Sequence, residues 1–123
     1  MAEKLAELNK GNDISYSTDE QFTGKYWIDG RPVYQKTINF GTLPNATQKL
    51  VAHGISNLDY TIDVRGVAQN PNGLTHSILT VPAPSTGTNV VTVYTTDTDV
   101  GVNTGGDRSA YTICYITMVY VKL

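Results

Sequence analysis

Apolar and polar residues alternate with a period of two along most of this chain, and turn residues cut the alternation into short lengths. The pattern is clearest from Leu58 to Gln69, where Leu58, Tyr60, Ile62 and Val64 point one way and Asp59, Thr61, Asp63 and Arg65 the other. Such alternation predicts a half-buried strand with one solvated face. Val33 to Phe40 divides in the same manner: Val33, Gln35, Thr37 and Asn39 share one face, and Tyr34, Lys36, Ile38 and Phe40 the other. Further strands are predicted over 47–53, 74–81, 88–96 and 98–103, with a last and longest one over 111–123. Asp29-Gly30 predicts a two-residue hairpin turn after Tyr26-Trp27-Ile28. Gly41-Thr-Leu-Pro-Asn45, Asn70-Pro-Asn-Gly73 and Thr104-Gly-Gly-Asp107 mark later turns, and Pro82-Ala-Pro84 forbids ladder pairing where it stands. Seven or eight short strands at this spacing predict an all-β chain, an antiparallel β-sandwich of jelly-roll-like kind.

Residues 1–20 break the pattern. Met1 to Asn9 can form about two turns of helix with Leu5 and Leu8 on one face, too short to be stable alone. We therefore divide the chain into an extended or partly helical N-terminal arm, 1–20, and a β-sandwich domain, 21–123. Leu5 and Leu8 are the candidates for docking the arm on a partner.

The final strand is apolar on both faces. Tyr111, Ile113, Tyr115, Val119 and Val121 lie on one, and Cys114, Ile116, Met118 and Tyr120 on the other. A half-exposed strand shows polar residues at every second position, so two apolar faces need two covers. The expectation is a homo-oligomer, with Ile116, Met118 and Tyr120 at the subunit interface.

Composition agrees with this picture and narrows the chemistry. The 123 residues suit one domain with a core of its own, and charged residues make up only 16%, below the ~25% usual for soluble domains. A surface so sparsely charged points to partial burial in an assembly. Net charge is -2 with no basic run, which argues against a nucleic-acid partner. No apolar stretch is long enough to span a membrane, and no secretory leader is evident, so synthesis in a cytoplasm without export is expected. Cys114 is the only cysteine, set in a strand-like run where it behaves as a small buried hydrophobe. The Asn45-Ala-Thr47 sequon is read as chance.

Candidate catalytic chemistry is thin. His53 and His76 are the only histidines and form no cluster with the spacing of a zinc site. Asp97 and Asp99 lack the glycine and oxygen-ligand pattern of a calcium loop. Asp59 and Asp63, on one strand face, would stand about 13 Å apart by strand rise, beyond the reach of a glycosidase pair. No nucleophile elbow, phosphate loop or dinucleotide fingerprint occurs. The expectation is a protein without catalytic residues, metal or cofactor. Trp27, Tyr60 and Tyr94 remain as possible sugar-stacking platforms, since loops at the end of a sandwich commonly carry binding functions.

Three segments, in order, carry a resemblance. They are Tyr16-Ser-Thr-Asp-Glu20 followed by Gly24-Lys-Tyr-Trp-Ile-Asp-Gly-Arg-Pro-Val-Tyr-Gln-Lys-Thr-Ile38, then Val51-Ala-His-Gly-Ile-Ser-Asn57, then Gly106-Asp-Arg-Ser-Ala-Tyr-Thr112 leading into the last strand. Together they resemble the small C-terminal β domain of tailed-bacteriophage fibre, head-fibre and tail-tip structural proteins. The resemblance spans about residues 16–123. It implies a non-enzymatic virion protein, most often a homotrimer, made in the bacterial host cytoplasm and displayed on the particle, where it can contact the host surface. Other virion proteins would be its partners through the N-terminal arm. No long shaft or collagen-like stalk precedes the domain, so a short fibre, head decoration or adaptor fits the length. The alternative is a carbohydrate-binding adhesin module that reads host-surface glycans.

Overall fold

The computed structural model describes residues 14–72, 77–83 and 87–123. These form eight strands: β1 Gln21–Tyr26, β2 Pro32–Asn39, β3 Gln48–Ala52, β4 Leu58–Asn70, β5 Ser77–Val81, β6 Val91–Thr95, β7 Asp99–Thr104 and β8 Ile113–Lys122. They make two antiparallel sheets, one of five strands in the order β1-β2-β8-β4-β5 and one of three in the order β3-β7-β6. The all-β sandwich expected from the alternation is present. The last strand in sequence lies at the centre of the larger sheet, which explains why it is apolar throughout.

The core lies between the sheets. Cys114, Ile116, Met118 and Tyr120 are each fully buried there, with Ile38, Phe40 and Ala68 from the larger sheet's side and Val91, Val100 and Val102 from the smaller sheet. This corrects the assignment of Ile116, Met118 and Tyr120 to a subunit interface: the chain's own second sheet covers them. The other face of β8 is open toward its start, with Ile113 and Tyr115 at 40% and 45% exposure, and closed at its end, where Val121 is buried.

Two features of β4 and the first hairpin depart from simple alternation. In β4 the register against β8 shifts between Leu58 and Tyr60 and again between Thr61 and Asp63. Tyr60 therefore pairs with Val121 on the outer face, opposite to Leu58, while Thr61 turns inward and bonds Thr95 of the smaller sheet at 2.9 Å. Bulges of this kind insert a residue and re-aim the side chains that follow. In the hairpin, Gly30 N–H donates to Trp27 O and Trp27 N–H donates to Arg31 O, both at 2.8 Å. The loop is thus three residues, Ile28-Asp29-Gly30, with Gly30 at φ +89°. Asp29-Gly30 was expected as a two-residue turn; the left-handed glycine instead follows a turn centred on Ile28 and Asp29.

The edges are blunted. An isolated bridge, Ala83 to Val91, ties the end of β5 to the start of β6 in the other sheet. At the β3 edge, Lys49 turns inward and donates to Phe40 O at 3.1 Å and Thr42 O at 2.7 Å, its ammonium 5.0 Å from the Phe40 ring. An inward-facing charge on an edge strand discourages pairing with another chain.

Residues 14–20, expected within the arm, are tied to the sandwich. Thr37 N–H donates to Ser17 O at 2.8 Å, and Glu20 accepts from Tyr120 Oη at 2.7 Å and Lys122 Nζ at 3.1 Å. Leu5 and Leu8 lie outside the described residues.

Candidate functional site

The larger sheet has its inner face on the core, and its outer face stays open among the described residues. The strand period decides what this face displays. Gln35 and Thr37 of β2 stand opposite Val119 and Thr117 of β8, which stand opposite Asp63 and Arg65 of β4; Tyr115 is paired with Val67. Beside β2, the segment held by the Thr37–Ser17 bond raises Tyr16, 82% exposed, along one side. The result is a shallow trough of about 720 Å³ running over β2, β8 and β4.

Its floor mixes methyl groups and hydroxyls. Thr37 and Thr117 share a 2.9 Å hydrogen bond, and Thr37 is nearly buried. Gly66 keeps the floor close: a Cβ there would stand 2.4 Å from the Tyr115 carbonyl oxygen. The charged groups cancel, because Arg65 Nη2 meets Asp63 Oδ2 at 3.1 Å. Two tyrosine rings, one cation, one anion and several neutral polar groups thus share an open concave surface.

The same face has a lid at one end, built from the Trp-Ile-Asp-Gly-Arg segment. Val33 and Val121 are buried yet belong to no part of the inner core; they lie in one outward row with Tyr60. Trp27 Nε1 donates to Tyr60 Oη, with the rings edge to face at 6.4 Å. Arg31 sits 5.4 Å from the Tyr60 ring, donates to Asp29 at 2.8 Å and to Lys122 O at 3.1 Å, and pairs with Asp59. The backbone N–H of Arg31, with its guanidinium, holds the Asp29 carboxyl below the usual range. Trp27 and Tyr60, offered from sequence as sugar platforms, are engaged with each other. Tyr94 lies over Gly101 on the smaller sheet and donates to Gln48 at 2.7 Å. Tyr16 and Tyr115 went unnoticed in the sequence as a pair, because only tertiary pairing brings them to one trough.

A second exposed surface lies where the larger sheet projects past the smaller one. Phe22, Tyr34 and Tyr120 form one cross-strand row, with ring centroids 6.1 Å and 6.2 Å apart, and Tyr26 packs edge to face on Phe22 at 5.7 Å. Exposure rises outward along this ledge, from 0% at Tyr120 to 44% at Phe22, 66% at Tyr26 and 91% at Ile28 on the adjoining turn.

The remaining candidates have structural surroundings. His53 is buried; it accepts from Ile55 N–H at Nδ1, 3.0 Å, which leaves Nε2–H to donate to Thr96 O at 2.9 Å. Burial pushes the Cys114 thiol up to about 11, only partly offset by the charge of Lys49. Asp107 accepts from the hydroxyl and backbone of Ser109, which lower its pKa, and Arg108 donates to Asn89 O at 3.0 Å. Asp59 and Asp63 turn to different arginines, Arg31 and Arg65. Asp99 accepts from Thr98 Oγ1 at 2.7 Å within its own turn. His76 lies outside the described residues. Among the described residues, no group of three or more His, Cys, Asp or Glu is placed to hold a metal ion. Comparison with protein-family models, with curated proteins and with solved structures finds no match to this chain.

Proposed function

We propose that this chain is a non-enzymatic virion structural protein of a tailed bacteriophage. It acts as a homo-oligomer, a trimer by the family likeness, displayed as a short fibre or head decoration and able to contact the host surface. The N-terminal arm, with Leu5 and Leu8, docks it on other virion proteins. The observation that carries the proposal is the aromatic ledge. Phe22, Tyr26 and Ile28 are exposed together, and Tyr26 and Ile28 lie in one of the three segments that carry the resemblance to phage structural proteins. Adjacent exposed apolar residues mark a surface that another chain covers. The ledge thus replaces Ile116, Met118 and Tyr120 as the subunit contact.

Light scattering at micromolar protein tests assembly. A stable oligomer that dissociates on Phe22→Ser with Tyr26→Ser is expected, and a wild-type monomer would count against it. Mass spectrometry of purified particles tests display. Removing residues 1–13 should leave the oligomer intact and abolish incorporation.

A carbohydrate-binding adhesin module is the second function, favoured by one observation: the trough presents two exposed tyrosines beside polar side chains.

A further inference from the structure

We infer that the trough binds a neutral oligosaccharide, laid along the sheet and stacked on Tyr16 and Tyr115. The inference rests on the second function above and gives it a site and a ligand class. The chemistry follows from what the surface offers. A pyranose has an apolar face of C–H groups and an equatorial rim of hydroxyls. It suits a site that alternates aromatic rings with planar hydrogen-bonding groups. Tyr16 and Tyr115 supply the rings, at 82% and 45% exposure. Gln35, Asp63 and Arg65 supply donors and acceptors on flanking strands, all on the same outward face.

Charge selects against other occupants. Arg65 and Asp63 compensate each other at 3.1 Å, so the trough holds no net charge to attract a phosphate, a nucleic-acid backbone or a polybasic segment. The floor is mixed, its apolar lining interrupted by the hydrogen-bonded hydroxyls of Thr37 and Thr117. The chain's greasier surface is the ledge, at a different place on the sheet. The volume of about 720 Å³ falls in the range of small-molecule sites, and its open shape admits an extended chain of sugar rings better than a single compact ligand.

The test is a neutral-glycan array on the whole protein, with hits titrated by ¹⁵N NMR. Saturable shifts are expected at the amides of Thr37, Gly66 and Thr117. Tyr16→Ala and Tyr115→Thr should each weaken the dissociation constant about fivefold or more. Tyr16 is exposed and threonine suits a strand, so both variants should keep the wild-type spectrum elsewhere. Leu50→Ser, exposed on the smaller sheet and outside both the trough and the ledge, should leave affinity unchanged. Glycan binding that survives both trough variants would overturn the site while leaving an adhesin standing. No binding to any neutral glycan would overturn both. A preference for sulfated or phosphorylated sugars would overturn the neutral class. Concentration-dependent shifts at the same amides without sugar would assign the trough to a second copy, and so overturn the proposal. None of these outcomes bears on the test of particle incorporation proposed for the first function.

Discussion

Single residues in this protein are constrained most tightly where backbones approach. Gly66 sits in β4 with β8 so close that any Cβ meets the Tyr115 carbonyl at 2.4 Å. Gly66→Ala should destabilise the fold by about 1–3 kcal/mol, as overpacking does, measured by urea unfolding. Gly30 has open space around it and only its φ of +89° to defend, so Gly30→Ala should cost less, about 1 kcal/mol. Cys114 sets a pH dependence. Its folded pKa, about 11, lies above its ordinary 9.0, so the neutral thiol is favoured by folding. The stabilisation is fully present below about pH 9 and is lost as pH rises through 11. Tyr120 is shifted upward as well, by burial first and by Glu20 second, and adds to the same alkaline loss. Urea unfolding of wild type and Cys114→Ala at pH 8 and pH 10.5 should show the gap between them narrowing at the higher pH. The buried thiol should also resist alkylation in the native state at neutral pH.

Among elements, the first hairpin and β4 depend on each other. Arg31 ties the Ile28-Asp29-Gly30 loop to Asp59 and to the carbonyl of Lys122 near the end of β8. Its removal should loosen that end alone. Arg31→Ala should speed amide exchange at Trp27, Gly30 and Leu123, while the slowest-exchanging amides of β8 keep their rates. These ties were half legible in the sequence. The aromatic-turn-arginine spacing was visible, and a turn was expected there. The Tyr60 partner was not, because straight alternation from Leu58 to Val64 placed Tyr60 inward, and the register shifts in β4 turn it out. Lys49 acts at the other edge. Lys49→Val should preserve the fold yet raise aggregation on incubation at high concentration, since it strips the inward charge that guards β3.

Across the whole molecule, the mismatch between sheets of five and three strands governs what is left over. Three strands cannot cover five, so the aromatic row that begins buried at Tyr120 ends in water at Tyr26 and Ile28. The larger sheet's other face carries the trough. The proposed assembly and the proposed recognition therefore fall on separate surfaces. The double variant Phe22→Ser, Tyr26→Ser should abolish association without affecting glycan binding, and Tyr16→Ala should do the reverse.

Period-two alternation, turn chemistry and an apolar final strand by themselves determined the sandwich class, most strand positions and a chain with more apolar surface than one half-exposed sheet can use. They did so because each signal is local, resting on side-chain direction and backbone φ within a few residues. Only the tertiary structure decided which face of β8 is buried and which is open, because both faces read as apolar and the choice depends on where the smaller sheet docks. The trough has the same origin: Tyr16, Asp63 and Tyr115 are far apart along the chain and become neighbours only through strand order and register.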